Sequence, residues 1–296
     1  LLVYAEFDDN PIYLMKPEGW RSRSGAPWPY LHEYEAGCTW EHVGYHLVWM
    51  CALFGPVATV TAFSRVTVPH KTDAPLSPPD TPDFSIACLA FESGVTARIT
   101  CSIAAPQDHR MRIIGEAGEI STGTYRHYQS PVQLERFTQL SLNARKSRTV
   151  RRSPLIGGLF GVGGRPVRLL RFPWSDATRS SSQRGRLSPL KAVIAWAKRR
   201  EVGAQDKMLG VALMARAIAD GMPAPAPPDF ILHVTELTLA IQAAGTTGAP
   251  HRLSAGFAPL QPLEGMVRPP EAWQRLRRPG LLARVADRLI DRLHRH

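Results

Sequence analysis

Three titratable side chains stand close together in the stretch GCTWEHVGYHLVWMCALFGP, residues 37–56: Glu41, His42 and His46. His42 and His46 are four residues apart, so on a helix they share one face and meet the same surroundings. An imidazole exchanges a proton near neutral pH, which makes catalysis one reading of the pair. The plainer reading is a hydrogen-bonded pair on a half-buried helix. A shared metal ion is a third, but a zinc site needs at least a third protein ligand. The order E-H-x-x-x-H differs from H-E-x-x-H, and no neighbouring Cys or His cluster completes a set, so no metal is expected.

The element that must hold these residues is legible. Leu47, Met50, Cys51 and Phe54 recur at helical spacing, and Gly55-Pro56 stops the run, so a helix is expected over 39–54 with one apolar face on a core. Before it, residues 1–8 read as a strand and 9–36 as a loop rich in Pro, Gly and aromatics. After it come a strand over 57–68 and a Pro-rich loop over 69–83. Strands 84–92 and 95–103 face each other across Ser93-Gly94 as an antiparallel hairpin. MRIIGEAGEIST adds two short strands and 132–140 another. Helices are expected over 189–199, 206–220 and within PPDFILHVTELTLAIQAAG, with Asp229 as a cap and Gly245 as the stop. The expected class is α+β: a mainly antiparallel open sheet with helices packed on one face.

Composition sets the frame. With 296 residues, 44% hydrophobic and 21% charged, the chain buries a sizeable core. Cys38, Cys51, Cys88 and Cys101 show no framework spacing, which argues for reduced thiols and a cytoplasmic setting. The longest uncharged run, 47–64, is broken by Gly55-Pro56 and is not a membrane span. The chain opens in mid-strand, without Met or a signal peptide, and reads as a fragment.

The charge is uneven. Of the net +11, residues 143–200 supply +14, fifteen Lys and Arg against the single acid Asp176. Residues 268–296 supply a further +5, so the rest of the chain is acidic at −8. The basic residues are spread through NARKSRTVRR, GLFGVGGRPVRLLRFPW and SSSQRGRLSP, which reads as a partly flexible arm. A solvated surface is the bland account of such a run, and an anionic partner is the sharper one. The domain reading is one body over 1–265, interrupted by a basic insertion at about 143–200, and a basic amphipathic tail over 266–296.

The order of GCTWEHVGYHL, LFGPV, FESGVTARIT and HRMRIIGEAGEI, with MARAIADGMPAPAP and LHVTELTLAIQAAG later, resembles the C-terminal substrate domain of Gfo/Idh/MocA oxidoreductases. The likeness covers residues 1 to about 142 and 201 to about 260. It implies a partner Rossmann domain holding NAD or NADP, an open sheet that serves as a homo-oligomer interface, and a sugar, polyol or derivative as substrate. In the family pattern G-G-x-x-x-D-x-G-x-H, His46 falls on the catalytic histidine with Gly44 two before it. His42 takes the usual Asp position, with Glu41 beside it. By this likeness His46 is the acid/base and His42 or Glu41 its assistant. Lys16-Pro17 imitates the family's E-K-P motif but follows the first strand, so it is a decoy.

The cofactor half is expected to be missing. GGLFGVGGRP, residues 157–166, is the one tempting glycine cluster, but Pro166 stands where the last glycine of a dinucleotide fingerprint belongs. Trp20, Trp28 and Tyr30 offer flat faces to a sugar ring, and packing of a long loop accounts for them as well. His109 and Arg110 are candidates for the pocket rim. Two other classes stay open: a non-catalytic oligomerising or ligand-binding relative, and a binder of anionic polymer or membrane. The second would act through the insertion and the tail LLARVADRLIDRLHRH, where Leu281, Val285, Leu289 and Leu293 line one face.

Overall fold

The computed structural model describes residues 1–22, 24–124, 130–167, 208–261 and 280–293. Its strands are β1 (Leu2–Asp8), β2 (Val57–Arg65), β3 (Phe84–Phe91), β4 (Thr96–Ser102), β5 (Met111–Ile114), β6 (Gly118–Thr122), β7 (Val132–Arg136), β8 (Arg165–Pro166) and β9 (Pro250–Arg252). Its helices are α1 (Tyr30–Ala36), α2 (Cys38–His42), α3 (Gly44–Phe54), α4 (Gln139–Leu142), α5 (Ala144–Arg151), α6 (Pro154–Phe160), α7 (Leu209–Ala219), α8 (Pro228–Gln242) and α9 (Leu281–Leu293). The class is α+β. The chain divides into two compact units, one from Leu1–Met111 with Arg216–Leu260, the other from Arg112–Ala215 with Gln261–His296.

In the first unit the strands run in the order β1-β4-β3-β2-β9. All neighbours are antiparallel except β1 and β4, which pair in parallel from Leu2 opposite Thr96 to Asp8 opposite Ser102. Period-two burial puts one face of β1, β2, β3 and β4 inward, and the register stacks those residues in rows. Val3, Ala97, Leu89 and Val60 form one row, Ala5, Ile99, Ala87 and Ala62 the next, and Phe7, Cys101, Ser85 and Ser64 the third. All twelve are buried. Thr61, Cys88 and Ala90 lie exposed on the opposite face. The four cysteines are free thiols.

Helices α1, α2, α3 and α8 cover the buried face. The expected helix over 39–54 is present as two segments, α2 and α3, separated by Val43. Within the expected loop over 9–36 the chain also forms α1. That helix lacks a side-chain cap and is entered from Pro29, so the usual start signal is missing from its sequence. The strand expected over 57–68 ends at Arg65, because the Asp83 carboxylate captures the next backbone: it accepts from Thr67 N–H at 2.7 Å and Val68 N–H at 3.0 Å. The Lys71 ammonium closes that buried network at 3.0 Å. In α8, Asp229 does not occupy the cap position, which is Pro227, but accepts the Phe230 N–H at 2.9 Å; Gly245 lies beyond the helix end with φ +57°.

In the second unit β5, β6, β7 and β8 follow one another in order. Here the structure differs from the expected arm. Residues 144–167 hold α5, α6 and β8, and Leu140, Val162 and Ile290 form a small core with Val150, Phe160 and Ala286 against it. The insertion and the tail therefore share apolar packing. The helix expected over 189–199 lies outside the described residues. The glycine cluster follows a helix and precedes a strand, with Gly161 left-handed at φ +71° as the cap of α6. That is the reverse of the strand-turn-helix order a pyrophosphate needs. Among the described residues no helix is long and apolar enough to cross a membrane.

Candidate active site

The third row of the sheet ends in Phe7, and its ring organises the histidines. His42 stacks on it at 4.8 Å with the planes 12° apart, Tyr45 lies at 5.6 Å, and His109 tilts against it at 4.8 Å. His46 meets it edge-on at 6.0 Å. The α2–α3 run supplies His42, Tyr45 and His46 from one side, while the segment after β4 brings His109 from the other.

The two histidines of the motif have different surroundings. His46 is fully buried. Its Nδ1 accepts the Trp49 indole N–H at 3.0 Å, which leaves the ring proton on Nε2, 2.9 Å from the Glu6 carbonyl that accepts it. Burial lowers its pKa to about 4; the Glu6 hydrogen bond opposes that shift and the nearby His109 adds to it. His46 is therefore a neutral imidazole near pH 7, tying α3 to β1. His42 reaches the surface with 9% exposure, and its Nε2 faces the Glu33 carboxylate at 3.9 Å.

Glu41, next to His42, is exposed, and partial burial of its carboxyl raises its pKa while His32 pulls it back. The potential ligand atoms of Glu33, Glu41 and His42 all lie within 4.8 Å of one another. His109 is buried with Nε2 3.5 Å from Asp9. Arg110 is turned to its own neighbour: its Nε donates to both Asp108 oxygens at 2.9 Å. At the end of β1, Asp8 has its pKa raised to about 6, first by burial and then by Glu6 and Asp108, with His109 opposing.

The structure thus gathers His42, His46 and His109 around Phe7, with Glu41 beside His42. Trp20, Trp28 and Tyr30 form separate contacts. The two indoles pair at 5.0 Å across a small hairpin, and Tyr30 meets Tyr34 edge-on at 5.9 Å. Phe7, Glu33 and Asp9 were not among the sequence candidates. Phe7 had a signal in the alternation of LVYAEFD. Glu33 had a weaker one, since His32-Glu33 mirrors Glu41-His42 across the intervening turn.

The model of the GFO/IDH/MocA C-terminal domain matches residues 14–121, and over that stretch the resemblance read from the motifs is confirmed. Over residues 14–121 the chain is thus similar to the C-terminal domain of an oxidoreductase family. No curated protein matches it. Among solved structures it is similar to the UDP-N-acetylglucosamine 3-dehydrogenase GnnA from Acidithiobacillus ferrooxidans at 13% identity, covering 82% of this chain and 53% of that one, with a TM-score of 0.46. It is similar also to the WlbA dehydrogenase from Bordetella pertussis, in complex with NADH and UDP-GlcNAcA, at 14% identity, 85% and 56% coverage and a TM-score of 0.45. A third is an aldose-aldose oxidoreductase from Caulobacter crescentus, complexed with glycerol, at 14% identity, 85% and 55% coverage and a TM-score of 0.47. The chain spans about half the length of these structures.

Proposed function

We propose that this chain is the substrate-side part of an NAD(P)-dependent oxidoreductase acting on the CH–OH group of a sugar, polyol or derivative. The observation that carries the reading is the family match over 14–121, the segment that sets His42 and His46 on one helical run at the end of β1. The described residues do not fit a pyrophosphate, so the reading assigns the cofactor to a separate dinucleotide-binding half. What falls to this chain is seating the carbinol and moving its hydroxyl proton. A general base must reach that proton, and His42, at the rim and backed by the Glu33 carboxylate, is better placed than His46. His46 is then a positioning residue that holds the end of β1, and with it Phe7, against α3.

The exposed face of the sheet, with Thr61, Cys88 and Ala90, suits a second copy of the chain in this reading. The test joins the chain to its dinucleotide-binding half and follows nicotinamide reduction with a panel of sugars and polyols, using NAD and NADP. Turnover that His42→Ala leaves unchanged would remove His42 from the chemistry. No turnover in a folded, cofactor-loaded protein would favour the non-catalytic alternative.

A second reading has its own observation. In α9, Ala283 and Ile290 are buried, while Leu281, Val285 and Leu289 stay exposed on a helix that also carries Arg284, Arg288 and Arg292. That combination suits an anionic surface, and salt-sensitive retention on anionic vesicles tests it.

A further inference from the structure

We propose that Glu33, Glu41 and His42 form a binding site for a first-row divalent ion of the zinc or cobalt type. The corner that carries them is built to hold its shape. α1 ends at Gly37, whose left-handed φ of +88° turns the chain straight into α2 and whose N–H caps the Glu33 carbonyl at 2.9 Å. A Cβ at Gly37 would stand 2.4 Å from the Thr81 methyl, so no other residue fits there without displacing its neighbour. The corner is also tied from two other elements. The Thr81 hydroxyl donates to the Glu35 carbonyl at 2.8 Å, and the Gln242 amide of α8 donates to the Ala36 carbonyl at 3.0 Å. Phe7 fixes the His42 ring plane by stacking.

This packing brings one imidazole and two carboxylates together from the two sides of the turn. Their ligand atoms lie within 4.8 Å of one another, with His42 Nε2 and Glu33 Oε1 at 3.9 Å. Donors around a tetrahedral zinc sit roughly 3.3 Å apart, given metal–ligand bonds of about 2.0–2.2 Å. Glu33 and His42 are therefore within about half an ångström of ligand spacing, and the exposed Glu41 side chain is the one with room to swing inward. Three protein ligands leave a fourth position open to water. The donor set selects the ion: nitrogen with two carboxylates suits zinc and cobalt, whereas magnesium and calcium ask for six or more oxygens. Glu33 lies on the preceding helix, outside the E-H-x-x-x-H stretch.

The consequence for chemistry rests on the proposed function. An imidazole whose Nε2 is bound to an ion cannot accept the substrate proton there, so the ion acts as a brake on turnover. Binding itself does not depend on that reading. The test uses the tag-free chain and cobalt, whose visible d–d absorption reports low-symmetry coordination, followed by displacement with zinc. We expect saturation at one ion per chain and a rise in thermal midpoint of roughly 5 °C or more at an ion concentration about 100 times the dissociation constant. Glu41→Gln, an exposed change that leaves packing alone, should weaken binding on the order of tenfold or more, and Glu33→Gln and His42→Asn should abolish the spectrum. Cobalt absorption that persists unchanged in all three variants, or a folded chain that shows none, overturns the site. Saturable binding by the chain, with no turnover in the complete, ion-free protein, would sink the redox reading and leave the site standing.

Discussion

His46 and His233 lie in different helices of the same unit and are built alike, each fully buried, while His42 and His109, which flank Phe7, are built differently. Both buried rings spend their two nitrogens on fixed partners. His46 joins Glu6 O to the Trp49 indole, and His233 accepts the Val57 N–H at 3.0 Å and donates to the Ala255 carbonyl at 2.6 Å. The rings beside Phe7 face carboxylates instead, Glu33 at 3.9 Å from His42 and Asp9 at 3.5 Å from His109. The same side chain serves as a strut where both nitrogens are hydrogen-bonded to fixed partners, and suits proton or metal chemistry where it faces an acid. The distinction is invisible in the spacing of the motif.

The largest effect should separate the two kinds. On the proposed function, His42→Ala in the chain joined to its dinucleotide-binding half should lower kcat by about 10²–10⁴, the scale of general acid/base work, and change the thermal midpoint little. His46→Ala should do the opposite first. It opens a fully buried site and strands the Glu6 carbonyl and the Trp49 N–H, so we expect a loss of about 2–4 kcal/mol in denaturant unfolding. A His46→Ala protein of unchanged stability would show that the ring is not a strut.

Much of this unit was legible and some of it was not, for physical reasons. The hairpin of β3 and β4 follows from alternation and the left-handed Gly94, because the pairing is local. The parallel pairing of β1 with β4 joins residues about ninety apart, and no local pattern encodes it. His42 and His46 declared themselves by spacing, whereas Glu33 and Phe7 enter the site only through tertiary packing. In the second unit, Val150 is a single apolar residue among arginines and Phe160 and Val162 stand in a glycine cluster, where no period shows, yet they meet Leu140 and Ile290 in one core. A charge count describes such a stretch as an arm; only the packing shows a core.

Acid sharpens the comparison further. The His46 pKa falls from 6.5 to about 4 on folding, so above pH 6.5 its contribution is fully present. Below that, the unfolded chain takes up the proton while the folded ring stays neutral, and stability falls until about pH 4, by about 3 kcal/mol. Asp8 works the other way, since its pKa rises from 3.8 to about 6 on folding and it stabilises most below 3.8. It is only half-buried, so its effect is screened by solvent and smaller. Denaturant midpoints should therefore drop between pH 6.5 and 4, and the drop should vanish in His46→Leu. A drop that is the same in His46→Leu as in the wild type would contradict a buried neutral ring.

The smallest effect concerns the strut region alone. Glu236 on α8 accepts from Ser254 N–H at 2.8 Å, Ala255 N–H at 2.8 Å and the Ser254 hydroxyl at 3.0 Å, and so straps the segment after β9 to the helix beside His233. Burial pushes its carboxyl up, but these bonds, with His251, outweigh it and bring the pKa to about 2. Its contribution is therefore present above 4.5 and lost as pH falls toward 2. Glu236→Gln keeps the shape but sets an amide N–H against backbone donors. Because the group is near the surface, the expected global loss is below about 1 kcal/mol. The sensitive measurement is amide hydrogen exchange: Ser254 and Ala255 should exchange faster in the variant, while the Val57 N–H, held by His233, should keep its protection. Faster exchange at Val57 as well would mean that the strap and the strut are one cooperative device, and the comparison between independent buried rings would fail.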